Sequence, residues 1–365
     1  MNLLSGRELK RLMEKKEGLC VSIYMPTHRI GAETQQNQIR FKNLLRKTGE
    51  ELIQSELRPQ EVKEFLKPVQ ELLADVPFWQ NQSDGLAVFI SPFSFNFFQF
   101  PVQFEELVIV AERFHIKPLI PVVGGDIEFY VIAISQKNVR LLKCSRYMAN
   151  EVNIEGIPNN LVEALNLDDF EKRLQLHTGA EDTKAKILQY FQQVDKGLHE
   201  YFRNKKAPLI FAGVDYLFPI YREANTYLHL VEKLIPGNPE GLSIEDLHNQ
   251  AWSIAKSFFE KEKSDAVEQY RQCFGTGLAS TAIKEIAQSS YNGRVGILFV
   301  PAGLQQWGTF NHETNEVILE DKATLGNEDL LDFAAIHTLS NGGTVYAVDS
   351  KELPDNASIA AVFRY

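Results

Sequence analysis

Apolar positions in the first third of the chain switch repeatedly between helical and strand spacing. Ser5 followed by Glu8 is a capping-box pattern, and Leu9 and Leu12 supply the inner face of the helix it predicts. Leu19-Cys-Val-Ser-Ile-Tyr-Met25, short, β-rich and stopped by Pro26, predicts a strand. Phe41, Leu44, Leu45, Thr48 and Leu52 then step by three and four, which predicts a helix from Thr34 to about Leu57. Arg40 and Lys47 flank this stripe on one side, Lys42 and Arg46 on the other. A further helix is expected from about Pro59 to Leu73, and a strand over Gly85–Ser91. Phe93, Phe95, Phe97, Phe98 and Phe100 form the most aromatic run of the chain. Its alternation predicts a half-buried strand with one register slip, such as a bulge. Another strand is expected from Leu107 to Ala111, and Pro118, Pro121 and Gly124-Gly125 mark a boundary.

A hairpin follows, from Glu128–Ser135 and Val139–Cys144. Residues from Asn150 to Lys184 lack periodicity and are expected to form a loop. Ile187, Tyr190, Phe191, Val194, Leu198, Tyr201 and Phe202 predict a helix over Lys184–Phe202. Pro208–Gly213 has no polar alternation and predicts a buried strand. Ile220, Tyr221, Ala224, Tyr227, Leu228 and Val231 predict a helix, and Ser243 with Asp246 caps another that runs to about Gln272. After Gly275 come a helix around Ile283–Ala287, a strand at Val295–Val300, and a polar loop or hairpin from Pro301 to Leu325. Asn327, Glu328 and Asp329 begin a helix that ends at Asn341-Gly342. Thr344–Val348 and Ser358–Phe363 are the last strands. Helices alternating with strands predict an α/β fold with α+β elements.

Composition narrows the function more than the fold. The 365 residues are 44% hydrophobic and 24% charged, ordinary globular values that exclude disordered and fibrous classes. Lys+Arg is 38 and Asp+Glu 48, a net charge of −10. A chain this acidic is not expected to coat nucleic acid non-specifically, since that binding depends on neutralised phosphates. A local basic face remains compatible with it. No apolar stretch reaches the roughly 18 residues of a membrane helix. The start, MNLLSGRELKRLMEKK, has no apolar core followed by a small-residue cleavage site, so no signal peptide is expected. Three separated cysteines, Cys20, Cys144 and Cys273, read as reduced thiols of a cytoplasmic protein.

Most catalytic signatures are missing. There is no phosphate-cradling Gly-x-x-x-x-Gly-Lys-Ser/Thr, no Gly-x-Ser-x-Gly and no His-Glu-x-x-His. Gly275-Thr-Gly277-Leu-Ala-Ser280 half matches a dinucleotide fingerprint but follows a helix rather than a strand, so a helix-to-helix turn is expected there. No cofactor and no metal are expected. His177, in Gln175-Leu-His-Thr-Gly179, is singled out because it lies in an aperiodic stretch just ahead of a strong helix. Arg40, Lys42, Arg46 and Lys47 form the best basic cluster and are candidate contacts to an RNA backbone. Lys184 and Lys186 fall in the first turn of their expected helix, where the macrodipole disfavours cations, which points weakly to an anionic partner.

The order of elements is familiar. Val21-Ser-Ile-Tyr-Met-Pro26 with Asn37-x-Ile39-x-Phe41-Lys-Asn43-Leu44 resembles the opening domain of archaeo-eukaryotic class I peptide-chain release factors and Pelota. Asp84–Ile90 and Arg113–Leu119 resemble its end. The hairpin at Phe129, the loop, the helix after Lys184 and Pro208–Val214 are similar to the middle domain. Gly293–Val300, Asn341–Val348 and Ile359–Tyr365 resemble the third domain, which is akin to kink-turn-binding ribosomal proteins. The chain is most similar to the bacterial archaeo-eukaryotic-release-factor-like proteins. The resemblance implies a three-domain architecture. An N-terminal α/β domain spans 1–123, a middle release-factor-like domain 124–274, and a C-terminal α/β domain 275–365.

One departure governs the functional expectation. Release factors carry Gly-Gly-Gln in the middle-domain loop, where the glutamine positions water at the peptidyl-tRNA ester. Here Leu176-His-Thr-Gly-Ala-Glu-Asp-Thr-Lys184 has one glycine and no glutamine. Gly124-Gly-Asp126 and Gly342-Gly-Thr344 fall in a boundary and a helix end instead. Water positioning tolerates little displacement, so peptidyl-tRNA hydrolysis is not carried over. The expectation is a ribosome-associated binding protein and not an enzyme. Its partners would be the ribosome or structured RNA, with no membrane and no DNA. The candidate RNA contacts are Arg40, Lys42, Arg46, Lys47, His177 and Lys184. One alternative is a hydrolase using His177 with Glu181 or Asp182, whose ionisable groups share one short loop. Another is an adaptor that binds proteins through its acidic surface.

Overall fold

The computed structural model describes residues 4, 6–14, 18–31, 33–123, 128–135, 137–154, 156–158, 160–164, 180–324 and 326–365. The chain divides into two compact units, one of Met1–Gly124 with Ser264–Tyr365, the other of Gly125–Lys263.

The first unit opens with the helix Gly6–Glu14 and a four-stranded antiparallel sheet. Its strands are β1 (Cys20–Pro26), β2 (Gly85–Ser91), β3 (Ser94–Phe100) and β4 (Leu107–Ala111), in the order β3-β2-β1-β4. The helix Thr34–Gln54 packs on it through Phe41, Leu44, Leu45, Thr48 and Leu52, the stripe expected from the sequence. The phenylalanine run differs from expectation. β3 pairs with β2 in unbroken register from Gly85↔Phe100 to Ser91↔Ser94, so it has no bulge. Both faces of the sheet are covered. Phe98 and Phe100 enter one core with Tyr24 and Phe89, while Phe95 and Phe97 pack against another with Val88 and Trp79. Adjacent Phe97 and Phe98 therefore face opposite cores on a regular strand. The helix expected over Pro59–Leu73 is two, Pro59–Phe65 and Lys67–Ala74, because Pro68 lacks an N–H and belongs in a first turn.

The second unit is a five-stranded sheet of β5 (Phe129–Ile134), β6 (Val139–Cys144), β7 (Ala149–Val152), β8 (Leu209–Gly213) and β9 (Ile235–Pro236). Its order is β7-β6-β5-β8-β9, with β5 and β8 parallel. The helices Ala180–Phe202 and Leu217–Ala224 bury one face, through Tyr190, Phe191, Val194 and Tyr221. Leu247, Ala251 and Ala255 of the helix Ile244–Cys273 bury the other. Ser243 and Asp246 cap that helix reciprocally, as their spacing predicts. Two boundaries are corrected. The long helix starts at Ala180, so Lys184 and Lys186 lie past its first turn and oppose no exposed helix end. The helix expected to reach Val231 stops at Ala224. Asp195 captures the next turn instead, accepting from the Thr226 N–H at 3.0 Å and the Thr226 hydroxyl at 2.7 Å.

All three cysteines are free. Burial pushes the Cys144 thiol up to about 12, whereas Cys273 is half-buried. Thiolate is the reactive form. Mass spectrometry after iodoacetamide treatment of the native protein at pH 8 should therefore find Cys273 alkylated and Cys144 unmodified. Equal labelling would contradict the packing of β6.

The chain returns to the first unit after Lys263. Gly275 and Gly277, both at positive φ, form a turn into a short strand rather than into another helix. β10 (Ala279–Ser280), β11 (Val295–Pro301), β15 (Thr344–Val348) and β16 (Ala360–Phe363) form a sheet ordered β10-β16-β11-β15. β12 (Trp307–Asn311), β13 (Glu316–Glu320) and β14 (Glu328–Asp329) form a smaller one, ordered β13-β12-β14. The helix Leu330–Ser340 is capped by Asp329, whose carboxylate accepts from the Leu331 N–H. One core joins the two stretches of this unit: Tyr24, Phe89, Phe114, Ile116 and Leu119 pack with Leu298, Leu331, Ala335, Ile336 and Ile359.

Candidate functional site

The basic helix Thr34–Gln54 carries four expected contacts, and three of them have carboxylate partners. Arg40 Nε lies 2.7 Å from Glu106 Oε1, and its Nη1 donates to the Pro26 carbonyl. Arg46 pairs with Glu50 at 2.9 Å and Lys47 with Glu51 at 3.6 Å, one turn along. Lys42 is exposed and forms no ion pair among the described residues. In the second unit Lys184 Nζ lies 3.5 Å from Glu223 Oε2 at the surface. His177 lies outside the described residues, as do the side chains of Glu181 and Asp182. The structure thus brings Arg40, Lys42, Arg46 and Lys47 onto one helix, each with a different electrostatic environment.

The densest polar constellation is one that sequence reasoning passed over. Arg113, His115 and Lys117 follow β4, and all three are buried. Lys117 is fully enclosed, and its ammonium donates to Asp329 Oδ2 at 2.8 Å and to the Leu304 carbonyl. Asp332, from the first turn of its helix, accepts the backbone N–H groups of Ile116 at 2.9 Å and Lys117 at 2.6 Å. His115 Nδ1 stands 3.8 Å from Asp329 and 3.7 Å from Asp332. Its Nε2 is buried with no hydrogen-bond partner among the described residues. The Tyr24 hydroxyl donates to the His115 carbonyl at 2.6 Å, and Ser22 Oγ accepts from the His115 N–H. Burial holds the His115 imidazole below its ordinary range against the pull of the two aspartates. Burial likewise raises the Asp332 carboxyl and, with the nearby Asp332 charge, the Tyr24 hydroxyl.

Arg113 sits at the edge of this cluster. Its Nε lies 2.9 Å from Glu328 Oε2, and its guanidinium stacks 5.2 Å from the Phe333 ring centroid. A cleft of about 650 Å³ opens beside it, lined by Glu112, Asn327, Thr309 and His312. His115, Lys117, Asp329 and Asp332 are at most 3% exposed, so their chemistry is to fasten β4 and the following segment to the helix Leu330–Ser340. The signal in the sequence was the alternation Arg113, His115, Lys117 inside an otherwise apolar run. Of its partners, Asp329 reads as an ordinary carboxylate at a helix start, and Asp332 carries no signal of its own in the sequence. Among the described residues, no group of three or more His, Cys, Asp or Glu is placed to hold a metal ion. No helix among them is long and apolar enough to cross a membrane.

The sequence model of bacterial archaeo-eukaryotic release factor family 3 matches residues 128–294. Over this segment, 167 of the 365 residues, the chain is similar to the bacterial archaeo-eukaryotic release-factor-like proteins. The match takes in nearly all of the second unit, including the stretch before the helix Ala180–Phe202. No curated protein matches the chain. Among solved structures it is similar to an archaeal translation termination factor, aRF1, at 17% identity and a TM-score of 0.26, covering 100% of this chain and 99% of that one. It is similar to an archaeal Pelota, in a model of ribosome-bound Pelota and ABCE1, at 13% identity and a TM-score of 0.43. That alignment covers 100% and 95% of the two chains. It is also similar to the Thermoplasma acidophilum Pelota at 11% identity and a TM-score of 0.28, again covering 100% and 95%.

Proposed function

We propose that this release-factor-like protein is a ribosome-associated binding protein that lacks peptidyl-tRNA hydrolysis, built from three inherited segments, 1–123, 124–274 and 275–365. The observation that carries the reading is the family match over 128–294 in a chain with no Gly-Gly-Gln anywhere in its sequence. The segment shares the ancestry of release factors, while the residue that orders the hydrolytic water is missing. Arg40, Lys42, Arg46 and Lys47 supply the RNA contacts of the first segment. Lys184 and His177 supply those of the middle segment. Arg46 and Lys47 are held only by exposed pairs within their own helix, which are weak and exchange readily for phosphate. Ester hydrolysis by His177 with Glu181 or Asp182 is the alternative reading, which His177→Ala with unchanged turnover would remove.

Sucrose-gradient co-sedimentation with bacterial ribosomes tests this at low and moderate salt. Binding is expected to survive moderate salt, and reversing the charge of Arg40, Lys42, Arg46 and Lys47 together should abolish it. Neutralising any one of these cations that meets a phosphate should reduce the salt slope by about one. A peptidyl-tRNA release assay on the same complexes should stay at background. Absence of co-sedimentation at both salts would sink the ribosome reading, and release above background would sink the claim of missing chemistry.

A further inference from the structure

At the C-terminal end of the helix Ala180–Phe202 lies a cavity of about 180 Å³. That is smaller than the roughly 300 Å³ at which sites for whole cofactors begin, so it suits a single group. Four nitrogen-bearing side chains line it, from three stretches of chain: His199 and Arg203 at the helix end, Lys205 in the turn that follows, and His229 in the loop before β9. The helix dipole accounts for a preference for cations at the first two positions. It does not account for Lys205 and His229, which converge on the same space from outside the helix.

The walls are held in place. Tyr227 stacks on Phe202 with ring centroids 4.4 Å apart, and its hydroxyl donates to the Ala207 carbonyl at 2.6 Å. His229 is fixed through its backbone, its carbonyl accepting from the Leu209 N–H at 2.8 Å. The one carboxylate in the lining, Asp195, is buried, and both its oxygens are engaged by Thr226. Its hydrogen bonds shape the loop that carries Tyr227 and His229. Two further carboxylates, neither in the lining, pair with the cations. Glu200 reaches Arg203 at 3.5 Å across exposed surface, and Glu128 lies 4.0 Å from Lys205. The Arg203–Glu200 pair is exposed and of the kind that exchanges readily, while the Lys205 ammonium also lies 5.3 Å from the Tyr201 ring centroid.

We propose that this cavity binds a phosphate group, with the Arg203 guanidinium and the Lys205 ammonium as charged donors and the His199 and His229 rings as N–H donors. Arg offers a planar fork to phosphate oxygens, and imidazole can donate whether or not it is charged. Leu198 and Phe202 supply an apolar wall for whatever the phosphate is attached to. Two sources share this chemistry: the monoester of a small metabolite and a phosphodiester of RNA. The site stands whether or not the protein binds ribosomes.

Isothermal titration of the full chain tests it with three probes: inorganic phosphate, AMP, and a short oligouridylate with a 5′-hydroxyl end. At least one should bind saturably at low salt and weaken as salt rises. Binding of phosphate and AMP alone identifies a monoester site, and binding of the oligouridylate identifies a diester site. The double variant R203Q/K205Q should lose about tenfold for each charge-assisted hydrogen bond removed. K233Q/K256Q, which changes lysines of the same unit outside the cavity, should bind like the unaltered chain. Arg203 is exposed and Lys205 half-exposed, so unchanged hydrogen-exchange protection of β5 and β8 is expected for the double variant. No saturable binding of any probe, or equal binding by R203Q/K205Q, would overturn the proposal. Ribosome co-sedimentation of the unaltered chain, set beside its probe binding, separates the two readings. Probe binding without co-sedimentation leaves the cavity and removes the ribosome, and co-sedimentation without probe binding does the reverse.

Discussion

Replacing Lys117 by methionine is expected to destabilise the first unit by about 3–5 kcal/mol, the usual cost of removing one partner from a buried ion pair. The substitution keeps the length and apolar body of the side chain. What it removes is the ammonium that holds Asp329 Oδ2, in a place closed to solvent. Asp329 also caps the helix Leu330–Ser340 and accepts the Gln306 N–H at 2.9 Å, so its unbalanced charge disturbs two further attachments. Because the chain has two units, a single unfolding midpoint is not well defined. Hydrogen exchange read peptide by peptide is the right measurement. Amides of Leu330–Ser340 and β11 should lose protection by at least a hundredfold, while those of β5 and β8 stay unchanged. A loss smaller than tenfold would mean that the buried pair contributes little to stability.

Acidification should weaken the same unit through His115. Burial holds the folded imidazole below its ordinary value of about 6.5, while the unfolded chain titrates at that value. Between those two values the unfolded state binds a proton that the folded state refuses. Stability is therefore full above about pH 6.5 and falls as pH drops through it, by up to about 1.4 kcal/mol per pH unit for one proton. Asp332 works in the opposite sense. Its folded carboxyl is raised, so the folded state holds an extra proton between that raised value and about 3.8, which favours folding on acidification. The groups that face His115 are Asp329, Asp332 and Lys117, with the Tyr24 hydroxyl on its carbonyl. Protection of the first unit measured from pH 7.5 to pH 5 should fall in the native chain. H115Q, a neutral side chain at the same place, should flatten that fall. An unchanged slope in H115Q would assign the acid sensitivity to other carboxylates.

Much of the fold was readable because its elements carry clean periodicity. The stripe Phe41–Leu52 and the helix through Tyr190, Phe191 and Val194 bury the faces that their spacing marks. The misses share one physical cause, which is that tertiary partners are invisible in a local window. The Phe97–Phe98 pair resembles a slip in a half-buried strand, and only a second core on the far face makes it regular. Helical spacing continues from Ile220 to Val231, yet Asp195, distant in sequence, draws Thr226 out of the helix. Leu228 is consequently 92% exposed. The candidate site was legible as charge but not as pairing. Arg40 reads as a free cation until Glu106 is seen beside it. Lys117 and Asp329 are 212 residues apart, a separation that no sequence pattern encodes.

The core shared by Tyr24, Phe89 and Phe114 with Leu298, Leu331 and Ile359 has a consequence for synthesis. Translation delivers the first 124 residues long before the strands and helix that complete their packing. At about 5–20 residues per second, the intervening unit and the last hundred residues take roughly 10–50 s to emerge. For that time the nascent chain presents one face of β1 and β2 with its apolar side chains uncovered, while Gly125–Lys263 carries cores of its own to close. The face of the N-terminal sheet that packs on the helix Thr34–Gln54 needs only residues made early, whereas the opposite face is completed only once the C-terminal stretch has left the tunnel.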